Sequence, residues 1–336
     1  MDPIALTRAL VDIESITGNE AAVGHFLARE LQRLGYSVEQ TSVPNPYSDA
    51  ERFYVYAHTA GAAPEVVFST HLDTVPPFFP SSEDGENVYG RGSCDAKGII
   101  AAQIAAAERL KKDGIKAGLL YVPGEERDSL GARTANEKPP GSRFLINGEP
   151  TENQIAVASK GALRVQLTAR GRMAHSAYPE LGESAIEKLL DALGRLRALK
   201  LPETPGIGPT TMNIGVIEGG RAPNVIPDLA RAQLLVRLVA PAEELRRMIT
   251  EAVQGLAEVE FILEIPFVRL RTVDGLPSFV AKYTTDIPEL SKWGEPVLFG
   301  PGSIHVAHTD KEFISKRELL QAVEIYCKIA KRLLSA

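Results

Sequence analysis

The sequence predicts an α/β protein: a mostly parallel sheet flanked by helices, with a smaller α+β domain inserted into it. Three observations carry this expectation. Short apolar runs alternate with helical patterns over residues 1–159, the rhythm of a parallel sheet covered on both faces. From Ser159-Lys160-Gly161 onward, apolar and polar residues alternate (Leu163, Val165, Leu167), which suits an antiparallel sheet with one exposed face. The first rhythm resumes after Arg271. The larger domain is therefore expected to comprise residues 1–159 and 272–336, and the insertion residues 160–271. A chain of 336 residues is also long for one core, so two domains are the default.

The elements follow in order. Ile4, Leu6, Leu10, Val11, Phe26, Leu27 and Leu31 keep helical spacing over residues 4–34, with a break at Thr17-Gly18-Asn19. The first strands are 52–58 and 65–70, and the second holds the unbroken apolar run Val66-Val67-Phe68 of a central strand. An alanine-rich helix spans 97–112 and closes at Asp113-Gly114. Strands 118–122 and 143–146 come next. Within the insertion, a strand is followed by helix 184–199, strands near 211–218 and 230–239, helix 242–256 and strand 259–264. That order is the split βαβ, or ferredoxin-like, arrangement. Strand 297–299 and an amphipathic helix at 316–334 complete the larger domain.

Composition excludes several classes. A net charge of −6 argues against a nucleic-acid surface, whose footprint is basic. Apolar content of 44% is ordinary, and no apolar run reaches the length of a membrane span. Cys94 and Cys327 cannot form a disulfide framework, and Met1-Asp2-Pro3-Ile4 does not open a secretory signal. The expected location is the cytoplasm.

Five stretches place a histidine or carboxylate just beyond a predicted strand or its loop: His71-Leu72-Asp73, Asp95, Glu125-Glu126, Glu149 and His308. Ligands of open α/β sheets gather outside the carboxyl ends of the strands, so these dispersed positions are expected to converge. Two divalent ions about 3.5–4 Å apart need a shared carboxylate and about two further ligands each. Asp95, ahead of a helix, is the expected bridge. His71 with Glu149 can complete one ion, and Glu126 with His308 the other. Mixed nitrogen and oxygen donors favour zinc, with cobalt or manganese able to replace it. Glu125 is left free to take a proton from the attacking water. Asp73 is placed to accept the second ring N–H of His71. Taken singly, each residue has an ordinary explanation: a satisfied strand-end histidine, a solvated acidic turn, an Asp95 that merely caps a helix. Five in order at strand ends are not explained that way. His305 competes with His308 as a ligand, whereas His25 and His58 have no expected chemistry.

Ser69-Thr70-His71-Leu72-Asp73-Thr74-Val75-Pro76, Gly90-Arg91-Gly92-Ser93-Cys94-Asp95-Ala96-Lys97-Gly98, Gly148-Glu149-Pro150-Thr151 and Gly300-Pro301-Gly302-Ser303 through His308-Thr309-Asp310 resemble the zinc-dependent carboxypeptidase and amino-acid deacylase family. Its members include acetylornithine deacetylase, succinyl-diaminopimelate desuccinylase and glutamate carboxypeptidase. The resemblance covers nearly the whole chain and implies a zinc-exopeptidase-like catalytic domain with an inserted dimerisation domain. It also implies two zinc ions, the same ligands, Asp95 as bridge and Glu125 as general base. In that family a glutamate at the position of Glu149 goes with deacylases and carboxypeptidases, and aspartate with aminopeptidases.

Ala174-His175-Ser176-Ala177-Tyr178-Pro179 resembles the small-domain motif of that family. This implies a homodimer in which His175 reaches the partner's site and donates to the oxyanion. Pro223-Asn224-Val225-Ile226-Pro227 and Arg237 match positions that hold a substrate carboxylate, Arg237 through two parallel hydrogen bonds. Leu235 departs from the family, which has an aspartate there, and Arg127-Asp128-Ser129-Leu130 is more charged than usual. The expected activity is dizinc hydrolysis of the amide bond of an N-acyl amino acid with a free carboxylate, acetylornithine deacetylase-like. The rival is a dipeptidase or carboxypeptidase with the same site. A silent metal-binding scaffold on this fold is expected to lack Glu125 or a ligand, and none is missing. The expected partners are a small-molecule substrate and a second copy of the chain, with neither nucleic acid nor membrane.

Overall fold

The computed structural model describes residues 1–61 and 63–335. They divide into two compact units: Met1–Val157 with Leu270–Phe279 and Thr285–Ala336, and Ala158–Arg269 with Val280–Thr284.

The larger unit is built on a six-stranded sheet in the order Ser37–Ser42, Phe53–His58, Ala117–Val122, Val66–His71, Phe144–Asn147, Glu295–Leu298. Val66–His71 is buried along its whole length and pairs in parallel on both sides, which is why its apolar run is unbroken. Phe53–His58 alone runs against its neighbours, so the sheet is mixed toward one edge. Successive side chains divide between the faces. Val66 and Phe68 join the core that contains Ile100, Ile104 and Tyr326, whereas Val67 joins Leu120, Leu145 and Trp293 on the other side. The Trp293 indole N–H donates to Ala135 O (3.0 Å), and the ring meets Tyr56 edge-on.

Helix Lys97–Lys112 is buried over most of its length, its alanines allowing close approach to helices Pro3–Val11 and Lys316–Leu334. The break near Thr17 separates helices Pro3–Val11 and Ala21–Arg33, and Thr17 N–H donates to Thr74 O. Ser37–Ser42 was not foreseen, because this edge strand is largely exposed and carries little apolar alternation. The six-residue helix Leu130–Ala135 is likewise too short to show a period. Among the described residues no helix is long and apolar enough to cross a membrane.

The smaller unit is a four-stranded antiparallel sheet in the order Thr211–Gly219, Leu229–Leu238, Gly161–Arg170, Glu258–Ile265. Helices Ala185–Arg197 and Glu243–Val253 cover one face. Leu163, Val165, Leu167 and Ala169 point into that core with Ala232, Leu234 and Val236. Between them Arg164 and Gln166 turn outward, where Arg164 Nη2 donates to Gln233 Oε1 (2.7 Å). One buried face and one polar face account for the strict alternation in the sequence.

Candidate active site

Parallel pairing places the carboxyl ends of the central strands together: His71 lies opposite Val122, and Ser69 opposite Asn147. The residues that follow each strand therefore leave the sheet at one edge. His71 ends its strand, Glu125 and Glu126 follow Val122, and Glu149 follows Asn147. Asp95 precedes helix Lys97–Lys112, and His308 sits in the loop after Glu295–Leu298.

Asp95 faces both imidazoles. Its Oδ1 is 2.9 Å from His71 Nε2, and its Oδ2 is 3.3 Å from His308 Nε2. His308 Nε2 is also 2.9 Å from Glu126 Oε1. Ligand atoms of His71, Asp95 and Glu126 lie within 4.8 Å of one another. A carboxylate that offers one oxygen to each of two histidines has the geometry of a bridge. Glu149 is buried beside this cluster, and its Oε1 has no hydrogen-bond donor among the described residues.

The electrostatics follow from this crowding. Burial, then the charge of Glu149, push the Glu125 carboxyl well above its ordinary range, and burial does the same to Glu149. His308 is raised to about 10 by its bonds to Asp95 and Glu126. Burial opposes charge on His71, yet Asp73 and Asp95 raise it well above the ordinary value. Asp95 is held low despite its burial, because His308 and His71 both bond to it. An orphaned buried acceptor and four crowded carboxylates around two imidazoles fit a pair of divalent cations, which would satisfy the acceptor and offset the charge.

Asp73 faces His71 and also holds the turn that follows Val122. His71 Nδ1 donates to the Asp73 backbone carbonyl (2.9 Å) and stands 3.6 Å from Asp73 Oδ1. The carboxylate is already engaged. Its Oδ1 accepts from the N–H groups of Gly124 (2.8 Å) and Glu125 (3.1 Å), and its Oδ2 from Thr17 Oγ1 (2.7 Å) and Glu126 N–H (3.3 Å). Three amides from one turn share this carboxylate with the His71 ring. Asp73 thus shapes the turn that carries Glu125 and Glu126, and its backbone orients His71.

Glu312 does for Asp95 what Asp73 does for that turn. Its Oε1 accepts from the N–H groups of Gly92 (2.9 Å), Cys94 (3.1 Å) and Asp95 (3.1 Å), and its Oε2 pairs with Arg91 Nη1 at 2.6 Å. Sequence reasoning did not single it out, although it closes the run His308-Thr309-Asp310-Lys311-Glu312. Asp286, a buried carboxyl that burial pushes up to about 7, was also missed. It lies in a loop with no period or motif to mark it.

In the smaller unit, His175 pairs with Val225 across a two-residue ladder, and Ser176 N–H donates to Asn224 O (3.0 Å). The ladder brings His175 and Asn224 together. His175 Nδ1 accepts from Ala177 N–H (3.1 Å), which assigns the ring proton to an exposed Nε2. Arg237 lies opposite Thr211 and Ala162 and has no carboxylate partner among the described residues. Burial holds its pKa below the usual guanidinium value. With Leu235 in place of an aspartate, no acidic side chain stands two residues before it on the same strand.

Residues 157–261 match the family described as the peptidase dimerisation domain, M20_dimer. The chain is 39% identical to a probable carboxypeptidase of Aspergillus flavus over 97% of its own length and 86% of that protein. It is 38% identical to the peptidase M20 domain-containing protein of Schizosaccharomyces pombe, over 96% of this chain and 82% of that one. Among solved structures, aminopeptidase PepT from Bacillus cereus superposes with a TM-score of 0.81 at 21% identity, covering 99% of this chain and 98% of that one. The YXEP protein of Bacillus subtilis, described as a dinuclear metal binding peptidase from the M20 family, gives 0.68 at 17% identity over 98% and 96%. The likeness to the two structures extends over the whole fold, and the sequence relatives extend it to the family. A metal-ready cluster on that fold, in a chain sharing more than a third of its residues with such relatives, has one reading: this chain belongs to the M20 peptidase family and is a metal-binding hydrolase of amide or peptide bonds.

Proposed function

We propose that the chain is a dizinc deacylase that cleaves the amide bond of an N-acyl amino acid bearing a free carboxylate. The observation that carries this reading is the Asp95-centred cluster, in which one buried carboxylate faces two imidazoles. His71, Asp95, Glu126, Glu149 and His308 would hold the two cations. When bound, these supply Lewis acidity, polarising the scissile carbonyl and making the attacking water acidic at neutral pH.

The chain's own residues do the rest. Glu125 accepts the proton of the attacking water at a carboxylate oxygen and returns it to the amine nitrogen as the C–N bond breaks. The products are the acyl carboxylic acid, which ionises at neutral pH, and the free amine. His175, contributed by a second copy of the chain in a homodimer, donates its Nε2–H to the carbonyl oxygen as negative charge develops there. Arg237 and Asn224 orient the substrate carboxylate. We assign the enzyme to the cytoplasm, in keeping with two buried free thiols.

A second reading, cleavage of dipeptides or removal of a C-terminal residue from peptides, is favoured by the relatives named carboxypeptidases. A panel of acetyl and succinyl amino acids against unmodified dipeptides separates the two. Deacylation is expected to exceed dipeptide cleavage by about tenfold or more in kcat/KM, and amidation of the substrate carboxylate should reduce it by about 100-fold. Rapid dipeptide cleavage with acyl amino acids inert would select the second reading. His175→Ala should lower kcat by about 10²-fold with bound metal retained. Mixing it with Glu125→Gln should restore part of the activity; no restoration would mean that each site is built within one subunit.

A further inference from the structure

We propose that Arg52 is a positioning residue for the reaction: through Asp128 and Glu20 it clamps the turn 124–129 and sets where the Glu125 and Glu126 carboxylates stand. The proposal rests on the reading of Glu125 as the base.

Arg52 is 2% exposed and uses all five of its N–H donors. Nε and Nη2 reach Glu20 Oε1 at 3.2 and 3.1 Å, Nη1 reaches Pro44 O at 3.3 Å, and Nη1 and Nη2 reach Asp128 Oδ2 and Oδ1 at 3.0 and 3.4 Å. Asp128 Oδ1 also accepts from Leu130 N–H (2.8 Å). Gly124 O gathers the N–H groups of Arg127, Asp128 and Ser129, which closes the turn. The guanidinium lies against this backbone: a Cβ on Gly124 would stand 2.2 Å from Arg52 Nη2 and 2.4 Å from Asp128 Oδ1, and Gly124 has φ +90°. Arg127 stacks on the Tyr47 ring, its Cζ 4.3 Å from the centroid, with Arg52 Cζ at 5.7 Å. The unusual charge of 127–129 is thereby accounted for.

The turn is held from two sides. Asp73 takes the N–H groups of residues 124–126, and Arg52 takes Asp128 just beyond them. Stability alone does not call for this arrangement, since apolar side chains of similar volume often replace a buried ion cluster without loss. What the cluster does supply is a rigid seat for two consecutive glutamates given different tasks. A displacement of about 1 Å in a reacting group can cost about 10²-fold in rate.

Arg52→Lys keeps the charge and removes the planar fork, and Asp128→Asn keeps the shape and the Leu130 contact. Each is expected to lower kcat about 10- to 100-fold, leave KM within about threefold and retain bound metal. In the metal-free protein, the amides of residues 124–129 should exchange faster while the central sheet is unchanged. Combined with Glu125→Gln, each should cause clearly less than its own separate loss, because a large part of its effect passes through the Glu125 carboxylate. Unaltered kcat and amide exchange in the variants, or losses that multiply with that of Glu125→Gln, would overturn the proposal. If Arg52→Lys fails to fold, Asp128→Asn carries the same test. Full activity of Glu125→Gln alone would instead remove the base assignment, and the exchange measurement would still judge the clamp.

Discussion

Glu125→Gln is expected to lower kcat by about 10²–10⁴-fold while KM and bound metal stay nearly constant. The side chain keeps its size and its place in the turn, so the amides that bond Asp73 are undisturbed. What disappears is the ability to take a proton. The native carboxyl stands among buried acids, with Glu149 opposing its ionisation, so it binds protons more readily than a free glutamate. Rates on a deacylase substrate, with metal content measured on the same sample, decide the matter. Unchanged turnover with metal in place would refute the role of Glu125.

Asp95→Ala should be more severe, abolishing metal retention and reducing turnover by about 10⁴-fold or more, because acidification of the attacking water is lost with the cations. Among the described residues no other side chain presents one oxygen to each of His71 and His308. Metal analysis after gel filtration gives the readout, and a variant that keeps two ions would mean Asp95 is not the bridge. The same charge balance predicts a pH effect in the chelated protein. Glu125, Glu149, His71 and His308 all have raised values, so the folded metal-free protein binds more protons than the unfolded chain. The contribution of these four groups to stability therefore falls as pH rises, opposed in part by Lys97, whose pKa burial pushes down to about 7. For His308 the contribution is complete below its ordinary 6.5 and disappears as pH climbs through about 10. Thermal unfolding of the chelated protein at about pH 6 and pH 9 should show the lower midpoint at pH 9. Metal addition should expel protons, measurable by calorimetry in buffers of different ionisation enthalpy. A midpoint that rises with pH would contradict this electrostatic picture.

Much of the architecture could be read from local pattern. The buried run Val66-Val67-Phe68, the alanine-rich helix Lys97–Lys112 and the alternation Leu163, Val165, Leu167 each announce their environment, because burial acts on side chains at the period of the backbone. The edge strand Ser37–Ser42 escaped, since an exposed strand is under no such pressure. Donor-rich residues at strand ends likewise pointed to His71, Asp95, Glu126 and His308, whose side chains now lie within bonding reach of one another.

What no window of sequence could show is which acceptor serves which donor. Asp73 stands beside its neighbour His71, and its carboxylate also bonds amides some fifty positions away. No local period marks the work of Glu312 and Arg52, because Glu312 bonds backbone amides, and Arg52 a side-chain carboxylate, of segments remote in sequence. Residue type and period specify elements and candidate ligands through interactions local to the chain. The hydrogen bonds that aim those ligands join segments remote in sequence, and they exist only once the sheet has brought its loops to one edge.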